Sequence, residues 1–309
     1  MKWKKKGLIF NPLNKLSWAD HSALQPTPVL IHNNNNTIIR IFIGCRDKHG
    51  ISRIGFVDVD GNDPSVIITY SESPVLEEGI PGTFDENGVV PSAIIKHNNQ
   101  FYLYYAGYQL GNKVRFYVFC GLSISDDGIN FKRYQRVPVL DRTDKELFFR
   151  VIHSIRYENN VWKCWYGGGD KFENDSGKSY PIYDIRYAES LDGIHFSDEP
   201  HICIPVKGGD EHRVGRPYVI KHENVYKMFY GVGKKSIGYR MGYAESTDGL
   251  SWKRKDDQVG ISIAPSHDAW DSLMISYPAV VQTNKATYMF YNGNNYGYDG
   301  FGYAELKEW

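Results

Sequence analysis

Short hydrophobic runs, in which aromatic residues alternate with other side chains, recur along the chain. Residues 101–107 (FYLYYAG) and 226–231 (YKMFYG) are two such runs, and related ones occupy residues 39–44, 162–167 and 288–293. A period of two residues is typical of β-strands, and no stretch keeps the 3.6-residue period of an amphipathic helix. We therefore predict an all-β protein with few helices.

A segment containing an Asp-Gly pair also recurs. Residues 187–196 (YAESLDGIHF) match residues 243–252 (YAESTDGLSW), and residues 123–131 and 303–305 are partial copies. Asp-Gly suits a tight turn between two strands because glycine accepts a positive φ. A third segment, often with a proline, precedes each aromatic run: residues 26–31, 90–95, 151–155, 216–220 and 277–281.

The recurring segments predict five units. Each unit contains three predicted strands and then a fourth strand of more variable sequence. Their period of roughly 50–65 residues is typical of propeller blades with loop insertions. The last unit stops soon after its third strand, and residues 6–10 would supply the missing outer strand and remove an exposed sheet edge. We predict one five-bladed β-propeller domain over residues 1–309, its ring closed by this N-terminal strand.

Composition and charge argue against other classes. The 309 residues include 36 Lys+Arg and 36 Asp+Glu, a net charge of zero, which disfavours a nucleic-acid binder. No run approaches 18 apolar residues, so no membrane span is expected, and the N-terminal apolar run is too short for a signal peptide. Four scattered cysteines predict reduced thiols in a cytoplasmic protein. No metal or cofactor motif is present, so neither is expected.

Several segments resemble a known family. They are residues 22–28 (SALQPTP), 82–92 (GTFDENGVVPS), 270–278 (WDSLMISYP) and 289–294 (MFYNGN), together with the Asp-Gly segment. With five predicted blades, the chain resembles the propellers of glycoside hydrolase families 43, 32 and 130. It resembles more closely the glycosylase-like proteins of bacterial surface-polysaccharide clusters. The resemblance implies a site in a central funnel lined by the first strand of each blade, but fold alone does not fix the reaction.

Ionisable groups occupy every segment that enters a predicted first strand, namely residues 19–22, 84–87, 149–153, 210–216 and 270–272. Glycoside cleavage uses two carboxylates, and the catalytic candidates here are Asp85, Asp271 and Glu211. Structural alternatives exist for each: an Asx turn at Asp85, a strand-entry cap or salt bridge at Asp271, and an exposed loop at Glu211.

The same segments supply the substrate-binding candidates, which are Asp20, His21, Arg46, Arg150, His153, Arg213, Arg216, Trp270, Tyr277 and Asn292. Family 43 places a glutamic acid on the third blade, whereas the third segment here offers Arg150 and His153. Arginine and histidine suit a phosphate or a sugar phosphate. The alternative for the basic set is ion pairing with Asp85, Asp271 and Glu211 across the funnel.

We therefore expect a carbohydrate-active enzyme that acts on a glycosidic bond by hydrolysis, transfer or phosphorolysis. The expected ligands are a sugar or oligosaccharide, with phosphate or a sugar phosphate as a further possibility. The alternative from another class is a non-catalytic sugar-binding propeller of surface-polysaccharide metabolism. The sequence leaves the oligomeric state open.

Overall fold

The computed structural model describes residues 1–33 and 36–309. After an N-terminal strand, β1 (Lys2–Phe10), the chain runs through successive antiparallel meanders in which each strand pairs with the next. The first meander contains β2 (His21–Asn33), β3 (Asn36–Arg46), β4 (Ser52–Asp60) and β5 (Ile67–Tyr70). The second contains β6 (Val89–His97), β7 (Gln100–Leu110), β8 (Phe116–Ser125) and β9 (Lys132–Arg133).

The remaining strands repeat this plan. The third meander contains β10 (Phe149–Glu158), β11 (Val161–Asp175), β12 (Lys178–Ser190) and β13 (His201–Ile204). The fourth contains β14 (Glu211–His222), β15 (Val225–Lys234), β16 (Gly238–Ser246) and β17 (Lys253–Arg254). The last contains β18 (Ser276–Gln282), β19 (Thr287–Asn292) and β20 (Phe301–Glu308). Within the described ranges the helical elements are two single 3-10 turns, Asp256–Gln258 and Asn294–Tyr296, so the predicted all-β class is confirmed. No helix of these ranges has the length and apolarity needed to cross a bilayer.

The N-terminal strand lies at the edge of the last meander. β1 runs antiparallel to β20, with Lys2 opposite Glu308 and Leu8 opposite Gly302. The strand order in that sheet is β1-β20-β19-β18. The most distant parts of the sequence therefore share one sheet.

The Asp-Gly segments form one turn repeated in three meanders. In the first copy the Asp127 carboxylate accepts backbone N–H bonds from Ile129 and Asn130 at 2.8 Å, and Ser125 Oγ accepts the Gly128 N–H at 2.9 Å. Gly128 has a φ of 73°, which glycine adopts without strain. Asp192 and Asp248 make the same bonds. These aspartates therefore fix turns.

Hydrophobic clusters fill the spaces between neighbouring meanders. One joins Ile41 and Val57 to Phe290 and Tyr303 of the last meander, and another joins Trp165 to Met228 and Tyr230. The first strands contact one another around an axis: β2 with β6, β6 with β10, β10 with β14, β14 with β18, and β18 with β2. Most aromatic runs thus serve packing, while the first strands surround a central space.

Candidate functional site

A cavity of about 450 Å³ opens at one end of the axis, within the usual range of about 300–1,000 Å³ for small-ligand pockets. Its polar lining residues are Gln25, Arg46, Ser52, Asn87, Tyr108, Arg115, His153, Tyr183, Arg213, Arg216, Tyr239, Tyr277 and Tyr296. Four of these are arginines and five are tyrosines, and no aspartate or glutamate lines the cavity among the residues that the structure describes. We call this cavity the funnel.

Bulges in the first strands turn side chains into the funnel. The register shifts fall between Leu24 and Thr27, Pro91 and Ala93, Ile152 and Ser154, Gly215 and Tyr218, and Ser276 and Ala279. Gln25, Arg216 and Tyr277 lie inside these bulges, each before a proline, with φ of 52°, 54° and 57°. Side chains of this size seldom adopt a positive φ, and such strain concentrates at functional sites.

Arg213 is held on the funnel wall by tyrosines. Its guanidinium carbon lies 4.6 Å from the Tyr239 ring centroid and 5.9 Å from that of Tyr183. An Nη donates to the Tyr296 hydroxyl at 3.3 Å, and the Tyr183 and Tyr239 hydroxyls lie 2.6 Å apart. Cation–π contacts orient the guanidinium without neutralising its charge, so Arg213 remains available to an anion.

Arg216 closes the inner end of the funnel. Its guanidinium donates to the carbonyl oxygens of Gln25 and Pro26 at 3.2 Å, to Thr27 Oγ1 at 2.8 Å and to the Ser92 carbonyl oxygen. Burial lowers its pKa to about 10, so the side chain is charged at neutral pH. All these acceptors are uncharged, and the buried cation therefore raises the positive potential of the funnel.

His153 lies beside Arg216, with Nδ1 3.4 Å from an Nη. Burial, and next the charge of Arg216, hold the pKa of His153 well below its usual value. The imidazole is therefore neutral at pH 7. Burial likewise raises the pKa of Tyr239 and Tyr277, so both phenols keep their protons and can donate hydrogen bonds to a ligand.

The three carboxylates predicted as catalytic lie outside the funnel lining. Asp85 is buried, pairs with Arg133 Nε at 2.9 Å and accepts the Tyr105 hydroxyl at 3.2 Å. Asp271 pairs with Lys5 Nζ at 2.6 Å and accepts the Tyr291 hydroxyl at 2.8 Å.

Glu211 completes the predicted set. It is buried rather than in an exposed loop, and it pairs with Arg254 at 2.9 and 3.0 Å. All three cationic partners are on outer strands of their sheets. The alternative in which these carboxylates pair with the funnel arginines is thus not observed, because the three carboxylates pair with Lys5, Arg133 and Arg254. A catalytic role for the carboxylates stays a prediction.

Glu146 occupies the corresponding place before β10. It pairs with Arg150 Nε at 2.7 Å and with Arg186 Nη1 at 3.1 Å, and burial raises its pKa. We call these four groups, Asp85, Glu146, Glu211 and Asp271 with their cationic partners, the interstrand ion clusters. Such a carboxylate occurs near the first strand of four of the meanders, and this recurrence is typical of a structural feature, since a catalytic group occurs once.

The other predicted residues divide between the funnel and its surroundings. Arg46, His153, Arg213, Arg216 and Tyr277 line the funnel. Arg150 is withdrawn to Glu146 and Asp198, and Trp270 stacks on Tyr291 with centroids 5.0 Å apart. These two are corrections to their predicted placement, because packing within the sheets holds both side chains.

Three further candidates lie near the mouth. Asn292 is fully buried, accepts the Gln25 N–H at 2.7 Å and donates to the carbonyl oxygens of Ala23 and Gly300 at 2.8 and 2.9 Å. It therefore ties strands together and lies outside the funnel lining, which differs from its predicted place, and its role in substrate binding stays a prediction. Asp20 is exposed, and His21 stacks on Tyr298 with centroids 4.6 Å apart.

Sequence reasoning missed much of the funnel. The missed residues are Gln25, Asn87, Tyr108, Arg115, Tyr183, Tyr239 and Tyr296. Tyr108 directly follows Gly107 at the end of an aromatic run, and Tyr239 directly follows Gly238. A tyrosine that directly follows a glycine of a strand was the available signal. In the described part of the chain, no three His, Cys, Asp or Glu side chains are grouped so as to hold a metal ion.

Solved structures that superpose on this chain include several described as glycoside hydrolases. A structure described as a glycoside hydrolase superposes with a TM-score of 0.72 at 16% identity, covering 99% of this chain and 92% of the other. A thermostable family-43 glycoside hydrolase gives 0.65 at 19% identity, covering 92% and 88%. A structure of the GH130 family of mannoside phosphorylases gives 0.69 at 10% identity, covering 98% and 93%. The chain therefore has the fold of the glycosidase-like propellers.

Closer sequence relatives define its family. The chain is 33% identical over 307 residues to the uncharacterized protein Rv1502 of Mycobacterium tuberculosis, covering 99% of this chain and 100% of the relative. The uncharacterized protein MT1551 of the same species matches at the same identity and coverage. The chain belongs to the family of these mycobacterial proteins. No protein-family model matches it.

Proposed function

We propose that the meanders are the five blades of a single propeller domain, closed by β1. The cyclic contacts of β2, β6, β10, β14 and β18 support this arrangement. So does the pairing of β1 with β20, which covers the open edge of the last sheet. The funnel is then the central opening of the ring, where propellers commonly hold their ligands.

In this funnel the protein recognises a saccharide that carries an anionic group. The observation that supports the proposal is the lining itself: four arginines, five tyrosines and no carboxylate among the described lining residues. A guanidinium binds a carboxylate, phosphate or sulfate through parallel charge-assisted bonds. The tyrosines supply hydrogen-bond donors and flat apolar faces for the sugar. Net neutrality of the chain thus conceals a local excess of positive charge.

Calorimetric titration tests this function. The ligands are a panel of uronic acids, sugar phosphates and sulfated sugars, each compared with its neutral parent. We expect one acidic sugar to bind at least 10-fold more tightly than its parent, with an affinity that falls as salt is added. Arg213→Met should remove this preference, whereas Arg136→Met, at an exposed arginine outside the funnel, should keep it. A panel in which neutral parents bind equally well contradicts the proposal.

A second candidate function is cleavage of a glycosidic bond, which the likeness to glycoside hydrolases and a mannoside phosphorylase family favours. Asp85, Asp271 and Glu211 are its predicted catalytic groups, and inorganic phosphate held by the funnel arginines is its predicted nucleophile in phosphorolysis. Incubation of the bound saccharide with and without phosphate separates the reactions. Free sugar indicates hydrolysis, sugar phosphate indicates phosphorolysis, and an intact ligand in both samples indicates binding alone.

A further inference from the structure

The funnel is closed at its inner end by one side chain. Arg216, carried by β14, reaches acceptors on β2 and β6 and lies next to His153 of β10. Both Arg216 and His153 are buried, and a second cavity beyond them also has His153 in its wall. A ligand that enters from the mouth therefore meets a wall, and a continuous polymer has no passage along the axis.

The mouth carries exposed aromatic side chains on a strained loop. Tyr296 and Tyr298 are 44% and 51% exposed, and Tyr296 has a φ of 61°. The loop is fastened to β2, because the Ser22 and Ala23 N–H groups donate to the Tyr298 and Gly297 carbonyl oxygens at 3.1 Å. The backbone bonds therefore hold both tyrosines in a fixed position at the mouth.

One of these tyrosines forms a flat surface with a histidine. The His21 and Tyr298 rings stack at 4.6 Å with an interplanar angle of 23°. His21 pairs across the strands with Arg46, which lines the funnel. The stacked rings, which we call the rim platform, thus lie beside the funnel. A flat, half-exposed aromatic surface with polar edges suits the apolar face of a sugar ring.

We propose that the protein binds the end of an acidic oligosaccharide. The terminal anionic residue enters the closed funnel and meets Arg213, while the next sugar residue lies on the rim platform. This inference rests on the proposed anionic-saccharide function and adds to it the length of the ligand and its direction of entry. Because the funnel is closed at its inner end, the middle of a polysaccharide cannot pass through it. The rim platform offers a second sugar residue a surface on which to stack.

Titration of a length series tests the rim platform. The probes are the acidic monosaccharide identified by the panel and its di- and trisaccharides, for example galacturonic, digalacturonic and trigalacturonic acids. We expect the disaccharide to bind about 3- to 10-fold more tightly than the monosaccharide, because its second residue can stack on the rim platform. Tyr298→Ala should remove that gain and leave monosaccharide affinity within about 2-fold, whereas Tyr298→Phe should retain the gain. Tyr134→Ala, at an exposed tyrosine on another part of the surface, is the matched control.

Equal affinity of the protein for the monosaccharide and the disaccharide overturns the rim platform. So does a Tyr298→Ala variant that loses affinity for both ligands by the same factor. If no acidic monosaccharide binds at all, the proposed function itself has failed, so the two failures are distinguishable. Polymers of increasing length test end recognition. The number of protein molecules bound per gram of polysaccharide should be proportional to the number of saccharide chain ends. A number proportional to the count of sugar residues overturns end recognition.

Discussion

At the scale of single residues, Arg216 both lines the funnel and links first strands of different meanders by hydrogen bonds. Its guanidinium joins carbonyl oxygens of Gln25, Pro26 and Ser92 across the axis. Arg216→Met would leave these buried acceptors unpaired, at about 1–3 kcal/mol for each such group. We expect a loss of several kcal/mol in the free energy of unfolding, measured with urea, against no change in Arg136→Met. Equal stability of the two variants would exclude this bridging role.

His153 predicts a pH dependence of stability. Its pKa in the folded protein lies well below 6.5, the ordinary value it regains on unfolding. Below pH 6.5 the unfolded chain therefore binds one more proton, so the stability present above pH 6.5 is lost as pH falls, by about 1.4 kcal/mol per pH unit. His212, whose pKa burial lowers to about 4, adds a similar loss between pH 6.5 and 4.

Urea unfolding at pH 7 and pH 5 measures the effect. His153→Gln should show a shallower decline than the wild type, because one of the two neutral buried imidazoles is gone. His267→Gln changes an exposed histidine and should decline like the wild type. A decline unaltered by His153→Gln would mean that other groups cause the loss.

The funnel residues show what sequence reasoning reaches at this scale. Arg213, Arg216 and Tyr277 were predicted because they enter strands that the proline-containing repeats marked. Tyr183 and Tyr239 were missed because aromatic residues outnumber the funnel positions, and most of them pack between sheets. Which tyrosine faces the axis depends on a strand's position around the ring, and no local pattern encodes that.

At the scale of elements, the interstrand ion clusters explain why the predicted carboxylates recur. Each carboxylate lies near the start of a first strand and meets a cation from another strand: Arg133 for Asp85, Lys5 for Asp271 and Arg254 for Glu211. Tyrosines of the second strands complete two of these clusters, as Tyr105 and Tyr291 do. The sequence shows that acidic residues precede the first strands. Their cationic partners lie up to 266 positions away along the chain, so the pairs can be identified only from the three-dimensional structure.

Asp271→Asn separates a structural role from a catalytic one. The substitution leaves Lys5 without its carboxylate, and a partly exposed pair of this kind should contribute about 1–3 kcal/mol to the free energy of unfolding. We expect that loss in urea unfolding, with ligand affinity in the funnel kept within about 2-fold. Asp268→Asn, at a nearby exposed aspartate, is the control. A variant of unchanged stability that has lost turnover would instead identify Asp271 as a catalytic residue.

The turns and the bulges differ in how well the sequence encodes them. The Ser-x-Asp-Gly turns were predictable because their hydrogen bonds join neighbours in sequence, such as Ser125 with Gly128. The bulges at Gln25, Arg216 and Tyr277 were not, although a proline follows each of them. A bulge depends on the register with the second strand, and it decides which side chain enters the funnel.

At the scale of the whole molecule, the fold was the most predictable property. Repeated local patterns fix the strands and turns of each meander, and the packing of like units fixes their neighbours. The charge of the funnel was less predictable, because the chain is neutral as a whole. Acidic and basic residues lie in the same segments of the sequence. In the folded chain the acidic side chains form ion pairs between strands, whereas arginine side chains line the funnel.

The proposed closure of the ring by β1 predicts that the pairing of β1 with β20 matters more for stability than the location of the chain ends. Lys2 lies opposite Glu308, so a short linker can join the present ends. A permutant linked there and opened between Ser176 and Gly177, an exposed hairpin tip, should keep its melting temperature within a few degrees and bind the same ligand. Deletion of residues 1–10 should lower the melting temperature sharply and promote association, because β20 becomes an open edge. Calorimetry and size-exclusion chromatography measure both outcomes, and a stable, monomeric deletion variant would show that the ring does not need β1.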